Sequence, residues 1–97
     1  MALLSLVTAP DVQQHLAQSV RVLRKSKKLS RKALADMSTV PEATIKKFET
    51  TGQISLRQFL LLWQSVANLG SIVDLAKQTE SQLKQDQPRS IDDVLRS

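Results

Sequence analysis

The sequence predicts an all-α domain of five helices, and three observations predict it. Hydrophobic residues make up 41% of the 97-residue chain but aromatics only 3%, so a core must be assembled from Leu, Val, Ile and Ala, with Phe48, Phe59 and Trp63 as its largest pieces. Two glycines and three prolines supply too few turns for a strand-rich fold. The apolar residues also recur at helical spacing. This length fits one domain with a modest core, expected over residues 1–83, with a polar C-terminal tail over 84–97.

Thr8 caps the first helix, whose opening turn holds Pro10, with its pre-set φ, and Asp11, an acid favoured by the helix dipole. Val12, Leu16, Val20 and Leu23 form its apolar stripe, and it ends near Ser26. Ser30 caps a second, short helix running to about Met37, with Ala33, Leu34 and Met37 facing inward. Ser38, Thr39 and Val40 interrupt the pattern, and Pro41 suits the first position of a third helix that runs to about Thr50. Ile45 and Phe48 face its interior side, while Glu42, Ala43, Lys46 and Lys47 point elsewhere. After Gly52, Ser55 caps a fourth helix in which Leu56, Phe59, Leu60, Trp63, Val66 and Ala67 form a broad apolar face, widened by Leu62 and Leu69. Gly70 stops that helix. Ser71 opens a fifth, carrying Ile72, Val73, Leu75 and Ala76 and fading near Leu83. Lys84 to Ser90 reads as a linker, followed by the apolar triplet Ile91, Val94 and Leu95.

Charge is concentrated in the middle of the chain. Ten Lys and Arg residues between Arg21 and Arg57 face Asp36, Glu42 and Glu49, a local balance of +7, while the remainder sums to −2. Such a basic centre suits a polyanion, because neutralising phosphates releases condensed counterions. Two short helices joined by a three-residue turn, the second with outward polar and basic side chains, match the geometry that seats a recognition helix in the major groove.

The order of residues is more specific. Leu29-Ser30-Arg31-Lys32-Ala33-Leu34-Ala35, then Val40, then Thr44-Ile45-Lys46-Lys47-Phe48-Glu49, then Gly52, resembles the XRE family of helix-turn-helix proteins, relatives of phage repressors and Cro. The match is ungapped over Leu29 to Gly52 and reaches back to Arg24. It implies a five-helix, lambda-repressor-like DNA-binding domain with the motif in the second and third helices. It also implies a structural ion pair between Arg24 and Glu49, and phosphate anchoring by Ser30, Arg31 and Lys32, with Arg31 in place of the family's usual Gln. The family's usual turn glycine is Thr39 here and its usual Ser is Pro41. Base-facing positions fall on Glu42, Ala43 and Lys46 or Lys47, with Pro41 and Thr44 near the backbone. Chemically, Glu42 can accept from a cytosine amino group, Ala43 can touch a thymine methyl, and either lysine can donate to guanine or to a phosphate.

Thr51-Gly52-Gln53-Ile54-Ser55-Leu56-Arg57-Gln58-Phe59, the Leu-rich helix after it and the tail Pro88-Arg89-Ser90-Ile91-Asp92-Asp93-Val94-Leu95 resemble HipB-type antitoxins. That branch of XRE regulators is encoded beside HipA-like serine/threonine kinases. The resemblance implies a homodimeric repressor of its own operon that also binds the kinase toxin or its accessory subunit. Two alternatives stand beside it: a stand-alone XRE or phage-type repressor, and a protein-binding module that no longer reads DNA.

An enzyme is not expected. His15 is the only histidine, cysteine is absent, and there is no Gly-rich phosphate loop or clustered carboxylate pair. Asp92-Asp93 lacks the further ligands of a metal site, so neither metal nor cofactor is expected. The absence of cysteine suits a reducing, intracellular setting, and the resemblance implies a bacterial cytoplasmic protein on the nucleoid. Met1 to Pro10 carries Leu3, Leu4, Leu6 and Val7 but has no basic flank and is too short to span a membrane, so two readings stand for it: an ordered or dimer-contacting arm, and a floppy terminus.

Overall fold

The structure is a computed structural model that describes residues 7–86. Five α-helices follow one another, α1 (Ala9–Ser26), α2 (Arg31–Ser38), α3 (Glu42–Thr51), α4 (Leu56–Val66) and α5 (Leu69–Asp86), and the described residues contain no strand. None of these helices is by itself long and apolar enough to cross a membrane. The expected arm over Met1 to Leu6 and the tail beyond Asp86 lie outside the described residues.

Local chemistry starts most of the helices. The Thr8 hydroxyl accepts from the Asp11 amide at 3.3 Å while the Asp11 carboxylate accepts from the Thr8 amide at 3.1 Å, a reciprocal box that satisfies two N–H groups at the start of α1. Ser30 caps α2 through the Ala33 amide at 3.0 Å, and Ser55 caps α4 through the Gln58 amide at 3.2 Å. α1 packs on α3 and α4, and α2 also packs on both, so four helices surround one core. Ala17, Val20, Leu34, Val40, Ile45, Phe48, Phe59, Leu62 and Val66 are buried there. The Phe48 and Phe59 rings meet edge to face with centroids 6.0 Å apart, and Phe59 leans on Trp63 at 5.6 Å.

Several sequence expectations are corrected. The inward line of α1 runs through Ala17, Val20 and Arg24, with Leu16 and Leu23 half-buried and Val12 exposed, because α3 and α4 both lie across it. Met37 points outward at 55% exposure and Ser38 is buried in its place, where its hydroxyl accepts from the Val40 amide at 3.2 Å. A buried amide of the turn is satisfied that way, which a methionine could not do. Pro41 has ψ 143°, outside the helical range, so it is the residue before α3 rather than its first turn. Leu62 lies at the centre of α4's buried face, while Leu56 and Ala67 are exposed. α4 ends at Val66 rather than at Gly70. Asn68 starts α5 instead: its side-chain oxygen accepts from the Gly70 amide at 2.7 Å and its carbonyl from the Ser71 amide at 3.0 Å, leaving Gly70 inside the first turn. α5 also continues to Asp86, through the first three residues of the expected linker.

α5 packs chiefly on α4 near its start. Leu69 and Ile72 are half-buried, the Trp63 indole N–H donates to the Ser71 hydroxyl at 3.0 Å, and from Val73 to Leu83 every residue is exposed. An 18-residue helix is about 27 Å long, and the molecule is correspondingly elongated at 56 × 30 × 22 Å.

Candidate nucleic-acid interface

α3 presents one half of its circumference to solvent. At 3.6 residues per turn, Ile45, Phe48 and Glu49 share its inward side with the half-buried Thr44 at the margin, and Glu42, Ala43, Lys46, Lys47, Thr50 and Thr51 occupy the exposed side. Ile45 and Phe48, at 0% and 1% exposure, hold the helix on the core, so these outward side chains sit on a fixed support. Glu42 lies in the first turn, where the dipole favours an acid. Thr50, which the sequence reading passed over, lies at the middle of the exposed arc; its hydroxyl donates to the carbonyls of Lys46 and Lys47 at 2.8 and 3.1 Å.

Both ends of α3 are fixed. Before it, Thr39 adopts the left-handed conformation (φ 66°, ψ 8°) and its amide donates to the Ala35 carbonyl, which closes α2 and leaves a turn of Thr39, Val40 and Pro41. After it, Gly52 is left-handed at φ 79°, and a Cβ there would lie 3.2 Å from the Gln13 backbone of α1. The Gln14 amide nitrogen donates to the Thr51 carbonyl at 2.8 Å, a further tie between α1 and the end of α3.

The exposed arc of α3 is braced from behind by Glu49, whose side chain is 1% exposed. Arg24 of α1 donates to it twice, Nε to Oε2 at 2.7 Å and Nη2 to Oε1 at 3.1 Å, and its Nη1 donates to the Leu29 carbonyl at 2.8 Å. Arg31, the first residue of α2, donates its Nε to Oε1 at 3.0 Å. Burial pushes the Glu49 carboxyl up, but the hydrogen bonds and charges of Arg24 and Arg31 outweigh it and hold the group below its ordinary value. The expected Arg24–Glu49 pair is therefore present as a bidentate contact, with a second arginine on the same carboxylate that the sequence reading had given only to phosphate.

The structure places the other expected residues in two groups. Ser30 and Lys32 are exposed at the start of α2, beside the half-exposed Arg31, and the contact with Glu49 sets this group against the C-terminal half of α3. Pro41, Glu42 and Ala43 are exposed at the other end of α3, with Lys46 and Lys47 between the two groups and Thr44 turned partly inward. Lys28, which the sequence reading did not place in the interface, is held with φ 58° in the loop before α2, its amide donating to the Lys25 carbonyl at 2.9 Å. Comparison of the chain with protein-family models, curated proteins and solved structures finds no match.

Proposed function

We propose that this protein is a sequence-specific duplex-DNA-binding repressor that acts as a homodimer, with α3 as the element that enters the major groove. The observation that carries this reading is the exposed arc of α3, where Glu42, Ala43, Lys46 and Lys47 project from a helix seated on Ile45, Phe48 and Glu49. Short and long side chains with donors and acceptors on one rigid helix face are what base edges require. The surrounding segment from Arg21 to Arg57 supplies the positive field that holds phosphates. Ser30, Arg31, Lys32, Pro41 and Thr44 serve as backbone contacts in this account, and no catalytic role is assigned to any residue.

Fluorescence anisotropy with a labelled operator duplex at fixed salt tests it. The Lys46→Ala/Lys47→Ala double variant should bind at least about tenfold more weakly, given two lost charged contacts, and keep its thermal unfolding midpoint, since both side chains are exposed. Unchanged affinity would remove α3 as the reading element.

The resemblance to HipB-type antitoxins supports a narrower proposal, that the repressor controls its own operon and binds a HipA-like serine/threonine kinase or its accessory subunit. The groove between α4 and α5 lined by Leu56, Leu60, Leu61 and Leu69 favours a protein partner of some kind. A tagged pull-down from the native host under nuclease treatment separates the possibilities. Stoichiometric recovery of the kinase or its subunit supports the antitoxin role, and recovery of the chain alone favours a stand-alone repressor.

A further inference from the structure

Arg31 differs from the other basic residues of the interface in being held. Its Nε is fixed on Glu49 at 3.0 Å, and Glu49 is fixed in turn by two bonds from the buried Arg24. An arginine held through Nε keeps a second donating edge, formed by Nη1 and Nη2, and that edge meets no protein acceptor among the described residues. The Arg31 side chain is 32% exposed, against 8% for Arg24 and 1% for Glu49, so the outward member of the trio is the one with donors to spare. Glu49 also lies about 60° around α3 from Lys46, at 3.6 residues per turn. Arg31 therefore stands at the rim of the exposed arc, level with its C-terminal half.

We propose that Glu49 is a positioning residue that aims the Nη1–Nη2 edge of Arg31 at one phosphodiester of the duplex, so that this phosphate fixes how α3 lies in the groove. The inference rests on the DNA-binding reading and deepens it. The buried carboxylate of the reading helix itself orients the phosphate clamp, so clamp and reading face move as one body. A guanidinium can serve a carboxylate on one edge and a phosphate on the other, whereas a lysine ammonium is a point charge without that two-edged geometry. The three charged groups sum to +1, which leaves the cluster attractive to an anion.

The test uses the full chain and a fluorescently labelled duplex, titrated by anisotropy across a potassium chloride series. Arg31→Gln should weaken binding and reduce the slope of log K against log salt by about 0.9, the contribution of one phosphate. Arg31→Lys, which keeps the charge, should still lose about tenfold at fixed salt, while Lys77→Gln on α5 should change neither quantity. Wild-type affinity in Arg31→Lys would overturn the clamp and leave Arg31 as one diffuse charge among several. Absence of duplex binding by the wild-type protein would overturn the DNA-binding reading itself, and the clamp with it.

The positioning role has its own readout, which does not depend on the folding of a Glu49 variant. In nitrogen-15 spectra of the wild-type protein, the Arg31 Nε–H signal should exchange slowly with solvent and persist when duplex is added. Fast exchange like that of a solvated arginine would overturn it. Inorganic phosphate distinguishes a phosphodiester from a small anion: it should not displace duplex at matched ionic strength, and saturable displacement would overturn the nucleic acid as the source of the phosphate.

Discussion

Glu49 ties three helices together, because its side chain is buried and joins α1, α2 and α3 through two arginines. Removing one partner of a buried ion pair leaves an uncompensated charge, so Glu49→Leu should destabilise the domain by about 3–5 kcal/mol. That is a large part of the stability of a small domain, and a urea titration followed by circular dichroism measures it. The lowered pKa sets the pH dependence. In the unfolded chain Glu49 titrates at its ordinary value and in the folded chain below it, so its contribution is complete above the ordinary value and is lost as pH falls through the lowered one. Acid unfolding of Glu49→Gln should accordingly be less steep with pH over that range than that of the wild-type protein. The Arg24–Glu49 pair was legible from the residue order, since it followed from the resemblance. Arg31 as a second donor was not, because a basic residue in the first turn of a helix reads equally well as a phosphate contact, and only the packing of α2 on α3 shows that it reaches the carboxylate.

The helices themselves were legible where their starts depend on neighbours in sequence. Thr8, Ser30 and Ser55 each cap the helix expected of them, since a cap needs only an oxygen and an amide two or three residues later. The junction between α4 and α5 was misread because Gly70 and Ser71 compete there with Asn68, whose side chain satisfies the freed amide first. Inward faces were legible in large part: Val20, Leu34, Ile45, Phe48, Phe59 and Val66 are buried as expected, whereas Val12, Met37 and Leu56 are exposed and Ala17 and Ser38 take buried positions, because which side of a helix is covered depends on two neighbours at once. The turn between α2 and α3 carries a stability prediction. Thr39 is a β-branched residue at φ 66°, where an L-residue carries a Cβ penalty of about 1–2 kcal/mol that glycine avoids against its own entropy cost of about 0.5–1 kcal/mol, so Thr39→Gly should raise the unfolding free energy by about 0.5–1 kcal/mol. At the far end of α3 the reverse holds. Gly52→Ala combines the left-handed φ with the close approach of Gln13, and should lower stability by about 1–3 kcal/mol. Denaturant midpoints of the two variants should move in opposite directions.

Across the whole molecule, the core of α1 to α4 and the projecting α5 are unequal. Leu75 and Leu83 are each more than half exposed on α5 and lie about 80° apart around it at 3.6 residues per turn, an apolar surface suited to the second copy in the proposed dimer. Leu75→Glu/Leu83→Glu should shift sedimentation velocity from dimer towards monomer and leave the far-UV spectrum intact, since neither side chain belongs to the core. The seam between the two parts runs through Trp63, the sole tryptophan, whose indole leans on Phe59 of the core and donates to Ser71 of α5. A single intrinsic fluorophore thus straddles the boundary of two units of unequal cohesion. Detachment of α5 would shift its emission to longer wavelengths at denaturant concentrations where the other four helices still give their full ellipticity, so sub-global opening and global unfolding can be read from one unlabelled sample.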